Sequence, residues 1–220
     1  MKLPVLSYTL LNTWDICPHQ AARRYIIKDL PREQPTQAMK DGIEVHEAME
    51  HRLRSKRPLP AHLAHHEKHA VPLDACTVTP EQKLGVTQAG RPCSFFDNDV
   101  WLRGVLDAPI LLRTDAACLI DWKNGSSKYE HPFELEVGAL LLQAHRPEIT
   151  YLVGAYIWLK EGRKGETHLL SNTAQTWQKV NKMAQEIDYA MRDGKFTKTP
   201  GPLCGWCPVK DCQHNANARS

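Results

Sequence analysis

Two short strand-like runs that each close on an aspartate constrain this chain more than any other feature. Residues 100–106 lead into Asp107, and Ala117, Cys118, Leu119 and Ile120 lead into Asp121, followed by Trp122 and Lys123. Between them, Ile110 to Arg113 and the turn-forming Thr114 and Asp115 supply the middle of a three-stranded β-meander. Side chains alternate along a strand, so Asp121 and Lys123 share a face while Trp122 points to the other. The chain must therefore bury an aromatic ring behind a pair of charges.

The flanking sequence is expected to supply helices. Ser7 is placed to cap a helix bearing Leu10, Leu11 and Trp14. Cys17-Pro18 interrupts it, a second helical turn bears Arg23, Arg24 and Tyr25, and residues 31–35 form a loop. Over 36–55, Met39, Ile43, His46, Met49 and Leu53 recur at helical spacing and define an apolar face, ended by Pro58 and Pro60. The stretch 61–69 carries His62, His65, His66 and His69 and reads as a solvated polar helix. Pro132 opens a helix to about Ala144, residues 149–159 are the most strand-like run, and a further amphipathic helix covers 174–192 before Gly194. Helices, a meander, a helix, a strand and a helix make an α/β arrangement around a small mixed sheet.

Composition excludes some classes. With 220 residues, 42% hydrophobic and 24% charged, the chain can bury a sizeable core. No apolar run is long enough to span a membrane and the first residues do not read as a signal peptide, so a cytoplasmic protein is expected. In that compartment seven cysteines suggest metal or cluster ligation ahead of disulfides. The tail 204–212 holds Cys204, Cys207 and Cys212, a C-x-x-C pair with a third thiol five positions on. A fourth ligand is needed, and His214 would complete a local zinc site. The remaining Cys76, Cys93 and Cys118 read as ordinary thiols. A net charge of +3 permits a nucleic-acid partner without demanding one. Candidate phosphate contacts are Arg23, Arg24 and Lys28 in one run and Arg52, Arg54, Lys56 and Arg57 in another. No P-loop is present, so the chain is not itself a translocase.

Asp107, Asp121 and Lys123 brought together on neighbouring strands form a metal-and-water site of the kind that suits phosphodiester hydrolysis. The carboxylates would hold Mg²⁺ or Mn²⁺ and the lysine would sit beside the attacking water. Glu81, at the start of the meander, would help with the DNA or a second metal.

These residues, in this order, resemble the PD-(D/E)XK nuclease superfamily, and within it the RecB-like exonucleases that carry an iron–sulfur cluster, such as the AddB nuclease domain and the CRISPR-associated exonuclease. The resemblance rests on Cys17-Pro18, Gly42 to His46, Gly104 to Asp107 with Asp121 to Lys123, and the terminal cysteines. Leu106 stands where the motif's proline would be, and Glu136 and Leu140 stand where relatives often show Gln-x-x-x-Tyr.

The resemblance implies a restriction-endonuclease-like core in a single domain over 1–220. Its N-terminal helices lie in 1–60, the catalytic sheet in 81–160 and the cysteine-rich tail in 200–214. It implies His46 and the Trp122 carbonyl as further metal ligands, and Glu136 as a residue that could orient Lys123 or the DNA. It also implies Cys17 as the fourth ligand of a [4Fe–4S] cluster with Cys204, Cys207 and Cys212, joining the two chain ends. The activity implied is a metal-dependent DNA exonuclease of recombination, repair, phage DNA processing or CRISPR adaptation. Single strands or free DNA ends would be its substrate, with a possible helicase, recombinase or integrase partner. An idle DNA-end-binding subunit and a structure-specific endonuclease are the alternatives.

Overall fold

The computed structural model describes residues 2–31 and 34–215. Arg32 and Glu33, inside the expected loop at 31–35, lie outside the described residues. The helices are α1 (Tyr8–Ile16), α2 (Pro18–Ala21), α3 (Gln37–Ser55), α4 (Glu67–Ala70), α5 (Phe133–His145) and α6 (Thr173–Asp193). The strands are β1 (Thr77–Val78), β2 (Gln82–Val86), β3 (Pro92–Cys93), β4 (Leu102–Leu106), β5 (Ala108–Arg113), β6 (Ala116–Lys123), β7 (Tyr151–Trp158), β8 (Arg163–Lys164) and β9 (His168–Leu169). They fall into two compact units, Met1–Glu33 with Trp177–Ser220, and Gln34–Thr176.

The first unit is built from both chain ends. Ser7 caps α1 by accepting from the Leu10 amide at 3.3 Å. The helix stops where Cys17 turns extended, at φ −158°, and Pro18 starts the next turn without needing a donor. Leu10, Leu11 and Trp14 are buried, as are Val180, Met183 and Ile187 from the later part of α6. Trp14 meets Phe196 edge-on with centroids 6.4 Å apart, and the His19 amide donates to the Thr197 carbonyl. Gly194 ends α6 at φ 69°, a conformation that costs glycine nothing.

The second unit holds two sheets. One runs β1-β5-β6-β7-β8, with β9 also on β7; the other runs β3-β2-β4. The expected three-stranded meander is thus divided. Strand β4 pairs with β2, and the chain changes sheets at Asp107 before β5 pairs antiparallel with β6. Strand β7 joins β6 in parallel, a pairing that needs a crossover connection, and α5 provides it. Because β7 is covered on both faces, nearly all its residues are buried. Trp122 lies behind the sheet at 2% exposure, within a core of Val45, Met49, Leu53, Ala108 and Ile157.

Helix α3 departs from its expected apolar face. Thr36 caps it and Met49 and Leu53 are buried, but Met39 and Ile43 are 52% and 53% exposed. Val45 takes the core position instead, since only the later turns meet the core. The histidine stretch departs further. It forms a 3₁₀ turn, Ala61–His66, running into α4. Leu63 and Ala70 enter the core and carry His66 inward with them, to 4% exposure. No helix among the described residues is long and apolar enough to cross a membrane.

Candidate active site

Asp107 occupies the point where the chain passes from one sheet to the other. Its Oδ2 accepts the Trp122 amide at 2.8 Å, which ties the end of β4 to β6. Helix α3 brings His46 to the same carboxylate, with Nδ1 at 3.4 Å from Oδ2. Glu81 arrives from the residue before β2, its amide donating to the Asp107 carbonyl at 2.9 Å. Glu81 has left-handed backbone, φ 52°, a conformation that persists in a non-glycine residue only where its surroundings over-determine it. Ligand atoms of His46, Glu81 and Asp107 all lie within 4.8 Å of one another. Among the described residues this is the one such group of three. It promotes Glu81 from a helper to a member of the central trio.

Asp121 lies beside the trio. Strand alternation holds as expected: Asp121 and Lys123 are half-buried on one face and Trp122 is buried behind. The Lys123 ammonium is 2.7 Å from Asp121 Oδ2 and 2.6 Å from Glu134 Oε2. Glu134 was not among the expected residues. It stands in the first turn of α5, two positions before Glu136, which is roughly 200° around the helix. The partner of Lys123 is therefore Glu134, while Glu136, expected to orient Lys123 or the DNA, stands on another side of the same first turn. An acid in the first turn directly after the lysine strand was the available signal. Close packing keeps α5 against the strands: a Cβ on Gly104 in β4 would come 2.9 Å from Leu141 Cδ1.

Electrostatics follow from this crowding. Burial raises the Asp107 carboxyl well above the carboxylate range; Asp121 and Glu81 add repulsion, while the Trp122 amide and Lys123 oppose it. Burial and Asp121 likewise raise Glu134, against the pull of Lys123. Burial would lower Lys123, but Asp121 and Glu134 outweigh it and hold the amine above its ordinary value. Lys123 is thus a fixed cation. Burial lowers His46, with Lys123 adding to the effect and Asp121 opposing it, which keeps the imidazole neutral and able to ligate.

The expected phosphate contacts are placed differently. Arg52 is 5% exposed and committed to Glu67 at 2.8 Å and Asp74 at 2.7 Å, so its guanidinium cannot meet a phosphate. Arg54 bonds Glu50 at 2.9 Å and the Pro80 carbonyl at 2.7 Å. Arg23 bonds Asp29 and Asp211. Arg24 is exposed, with its guanidinium 5.9 Å from the Tyr25 ring centroid.

A second cluster lies in the first unit. Cys17, Cys204, Cys207 and Cys212 line one cavity of about 230 Å³, with His214 and the apolar Val209. Burial raises the Cys207 thiol; the Val209 backbone opposes this and the other three thiols add to it. No three of these sulfurs lie within 4.8 Å of one another. Cys76, Cys93 and Cys118 are half-buried free thiols.

A model of the PD-(D/E)XK nuclease superfamily matches residues 64–212. The chain belongs to this superfamily. Membership implies nuclease chemistry with DNA as the substrate class, and the His46, Glu81 and Asp107 group could bind the divalent metal such chemistry uses. Among solved structures, the crystal structure of SSO0001 is similar over 98% of this chain and 88% of that one, at 13% identity and TM-score 0.49. No curated protein matches the sequence.

Proposed function

We propose that the chain is a Mg²⁺- or Mn²⁺-dependent DNA exonuclease of the RecB type. The supporting observation is the adjacency of two devices: a neutral imidazole with two carboxylates, and a lysine fixed between two further carboxylates. The donor set fits a hard divalent cation, and the imidazole favours Mn²⁺. The raised Asp107 carboxyl is what a cation would relieve, since its repulsion with Asp121 and Glu81 falls when positive charge enters. His46, Glu81 and Asp107 would hold the ion, with Asp121 and the Trp122 carbonyl next to it. A bound divalent cation supplies polarisation of the phosphodiester and a water acidic enough to attack.

The protein's own residues do the rest. Lys123 stays protonated between Asp121 and Glu134, so it acts as a positioned cation and not as the base. From there its ammonium orients the attacking water and offsets charge growing on the phosphate. Asp121 pairs its charge with Lys123 at 2.7 Å and holds it towards the trio. Trp122, buried behind, fixes the strand on which both stand.

The cysteine cavity supports a [4Fe–4S] cluster. All four thiols line one cavity with apolar walls, and that shared lining supports a group held by Cys17, Cys204, Cys207 and Cys212, with Zn²⁺ as the alternative. Such a cluster would tie Cys17 to the tail. A cytoplasmic role in recombination, repair, phage DNA processing or CRISPR adaptation, beside a helicase, recombinase or integrase, completes this reading.

The test is digestion of DNA labelled separately at each end, with a sealed single-stranded circle as control. End-first release of label and an intact circle are expected in Mg²⁺ or Mn²⁺. Wild-type rates in EDTA, or in Asp121→Ala, would defeat the metal mechanism, and a cut circle would make the enzyme an endonuclease.

A further inference from the structure

The sheet β3-β2-β4 extends the metal-ligating face away from Glu81 and Asp107. Along its ladder Lys83 stands opposite Val105, and Gly85 opposite Arg103. Residues directly opposite, and those two apart along a strand, share a face. Lys83, Val105 and Arg103 therefore lie on the side that carries Asp107. The reverse side packs on α5, where Gly138 approaches Leu106 and Gly104 approaches Leu141. The Lys83 side is open at the end near the trio, where Lys83 is exposed and Val105 is 39% exposed, and is covered at Gly85, where an added Cβ would come 2.9 Å from Val100 and 3.0 Å from the Ser94 carbonyl. Burial and Glu50 raise the Glu81 carboxyl, and the Lys83 ammonium is near enough to pull it back down.

At the far end the loop after β3 sets two phenylalanines beside Arg103. Their rings meet edge to face with centroids 4.9 Å apart. The Arg103 guanidinium lies 4.6 Å from the Phe95 centroid and 5.9 Å from that of Phe96, and Nη1 donates to the Phe95 carbonyl at 3.2 Å. Phe96 is thus braced on one side while remaining 73% exposed. At the edge of this sheet, Lys83, Leu84, Cys93, Phe95 and Phe96 line one groove of about 540 Å³, floored from the α5 side by His145; Arg103 and Val105 stand outside it. A braced, exposed ring with Arg103 against it and Lys83 in the same groove matches the chemistry of an unpaired base and its phosphates. A duplex keeps its base faces stacked inside and cannot use such a ring.

Arg103 lies four residue steps before Asp107, about 13 Å along an extended chain. That spans about four nucleotides at the 3.4 Å spacing of a stacked strand. Beyond Phe96, the exposed Asp97 and Asp99 present like charge to a phosphate chain and end the favourable surface.

We propose that this face is a single-strand track, in which unpaired nucleic acid runs along Lys83, Val105 and Arg103 to the metal-ligating trio and rests one base on the Phe96 ring. The proposal rests on the nuclease reading for its direction, but its test separates the two. Binding of a fluorescent oligothymidine and of a blunt hairpin is measured by anisotropy in EDTA. Phe96→Ala should weaken the single strand by roughly five- to a hundredfold and leave the hairpin unchanged. Phe96→Trp should restore it, and Lys83→Ala should reduce the salt slope by about 0.7. Hydrolysis of bis(p-nitrophenyl) phosphate, too short to reach Phe96, should survive Phe96→Ala and vanish in Asp121→Ala. Unchanged oligothymidine affinity in Phe96→Ala would overturn the track and leave the ring to a protein partner. Equal loss for hairpin and single strand would also overturn it. If the wild-type protein hydrolyses no diester while Phe96→Ala still loses the single strand, the nuclease reading fails and the track stands.

Discussion

Glu134 Oε2 lies 2.6 Å from the Lys123 ammonium, which also meets Asp121 Oδ2 at 2.7 Å. Two carboxylates on one amine, all largely withdrawn from water, make the charge of Lys123 a property of the fold. Glu134→Gln keeps the shape but removes one of the two charges that raise the amine. The rate of DNA hydrolysis should fall roughly ten- to a hundredfold, as for loss of an orienting partner. The alkaline limb of the pH–rate profile should move to lower pH. Glu136→Gln should leave both unchanged, and steady-state rates across pH compare the two variants directly.

Asp107 gives a stability prediction whose sign is opposite to that of a salt-bridged acid. Its carboxyl is raised in the folded protein, so the fold favours the protonated form. Without metal, that contribution is fully present below the ordinary carboxylate pKa and is lost as pH rises through the folded value. Melting of the EDTA-treated protein should therefore weaken as pH rises from 3.8 to about 8 and level off above that, and Asp107→Asn should flatten the trend. Mn²⁺ at a hundred times its Kd should restore about 2.7 kcal/mol. Calorimetry in buffers of different ionisation enthalpy should register proton release on metal binding.

The sequence carried this site unevenly. Asp107, Asp121, Lys123 and the burial of Trp122 were readable because strand alternation has a fixed period and each acid ended an apolar run. The caps at Ser7 and Thr36 were readable because capping is local. What escaped was set by tertiary packing. Met39 and Ile43 match the helical period of α3, yet only its later turns meet the core. Arg52 looks like its basic neighbours, and only the folded chain shows Glu67 and Asp74 around it. The break in the meander at Asp107 could not be read either, since β4 and β5 are separated by one residue and nothing local says they join different sheets.

His66 supplies a pH dependence remote from the site. Burial lowers its pKa from 6.5 to about 4, with the neighbouring His65, His69 and Lys68 adding to the effect. Its Nδ1 has no hydrogen-bond partner among the described residues. A depressed histidine contributes stability that is fully present above 6.5 and lost as pH falls towards the folded value. Denaturant midpoints should accordingly drop between pH 6.5 and 4. His66→Leu, which fills similar space without a titrating group, should remove that part of the slope. An identical slope in the variant would assign the acid sensitivity elsewhere.

The cysteine cavity makes the last prediction. Cys17 follows α1 and the other three thiols follow α6, so a group bound by all four bridges segments from opposite ends of the sequence. In the unfolded chain those ligands are separated by nearly its whole length, and closing so long a loop is what a bound group would offset. Protein purified without oxygen should be brown, with broad absorption near 400 nm expected only roughly from cysteinyl-ligated iron. Cys17→Ser and Cys207→Ser should bleach it and lower the melting temperature by several degrees. Cys93→Ser and Cys118→Ser should do neither, because those thiols line no part of the cavity. Asp121→Ala should keep the colour while losing activity, since Asp121 lies in the other unit. A colourless protein with one zinc per chain, retained in Cys17→Ser, would instead assign the site to Cys204, Cys207, Cys212 and His214.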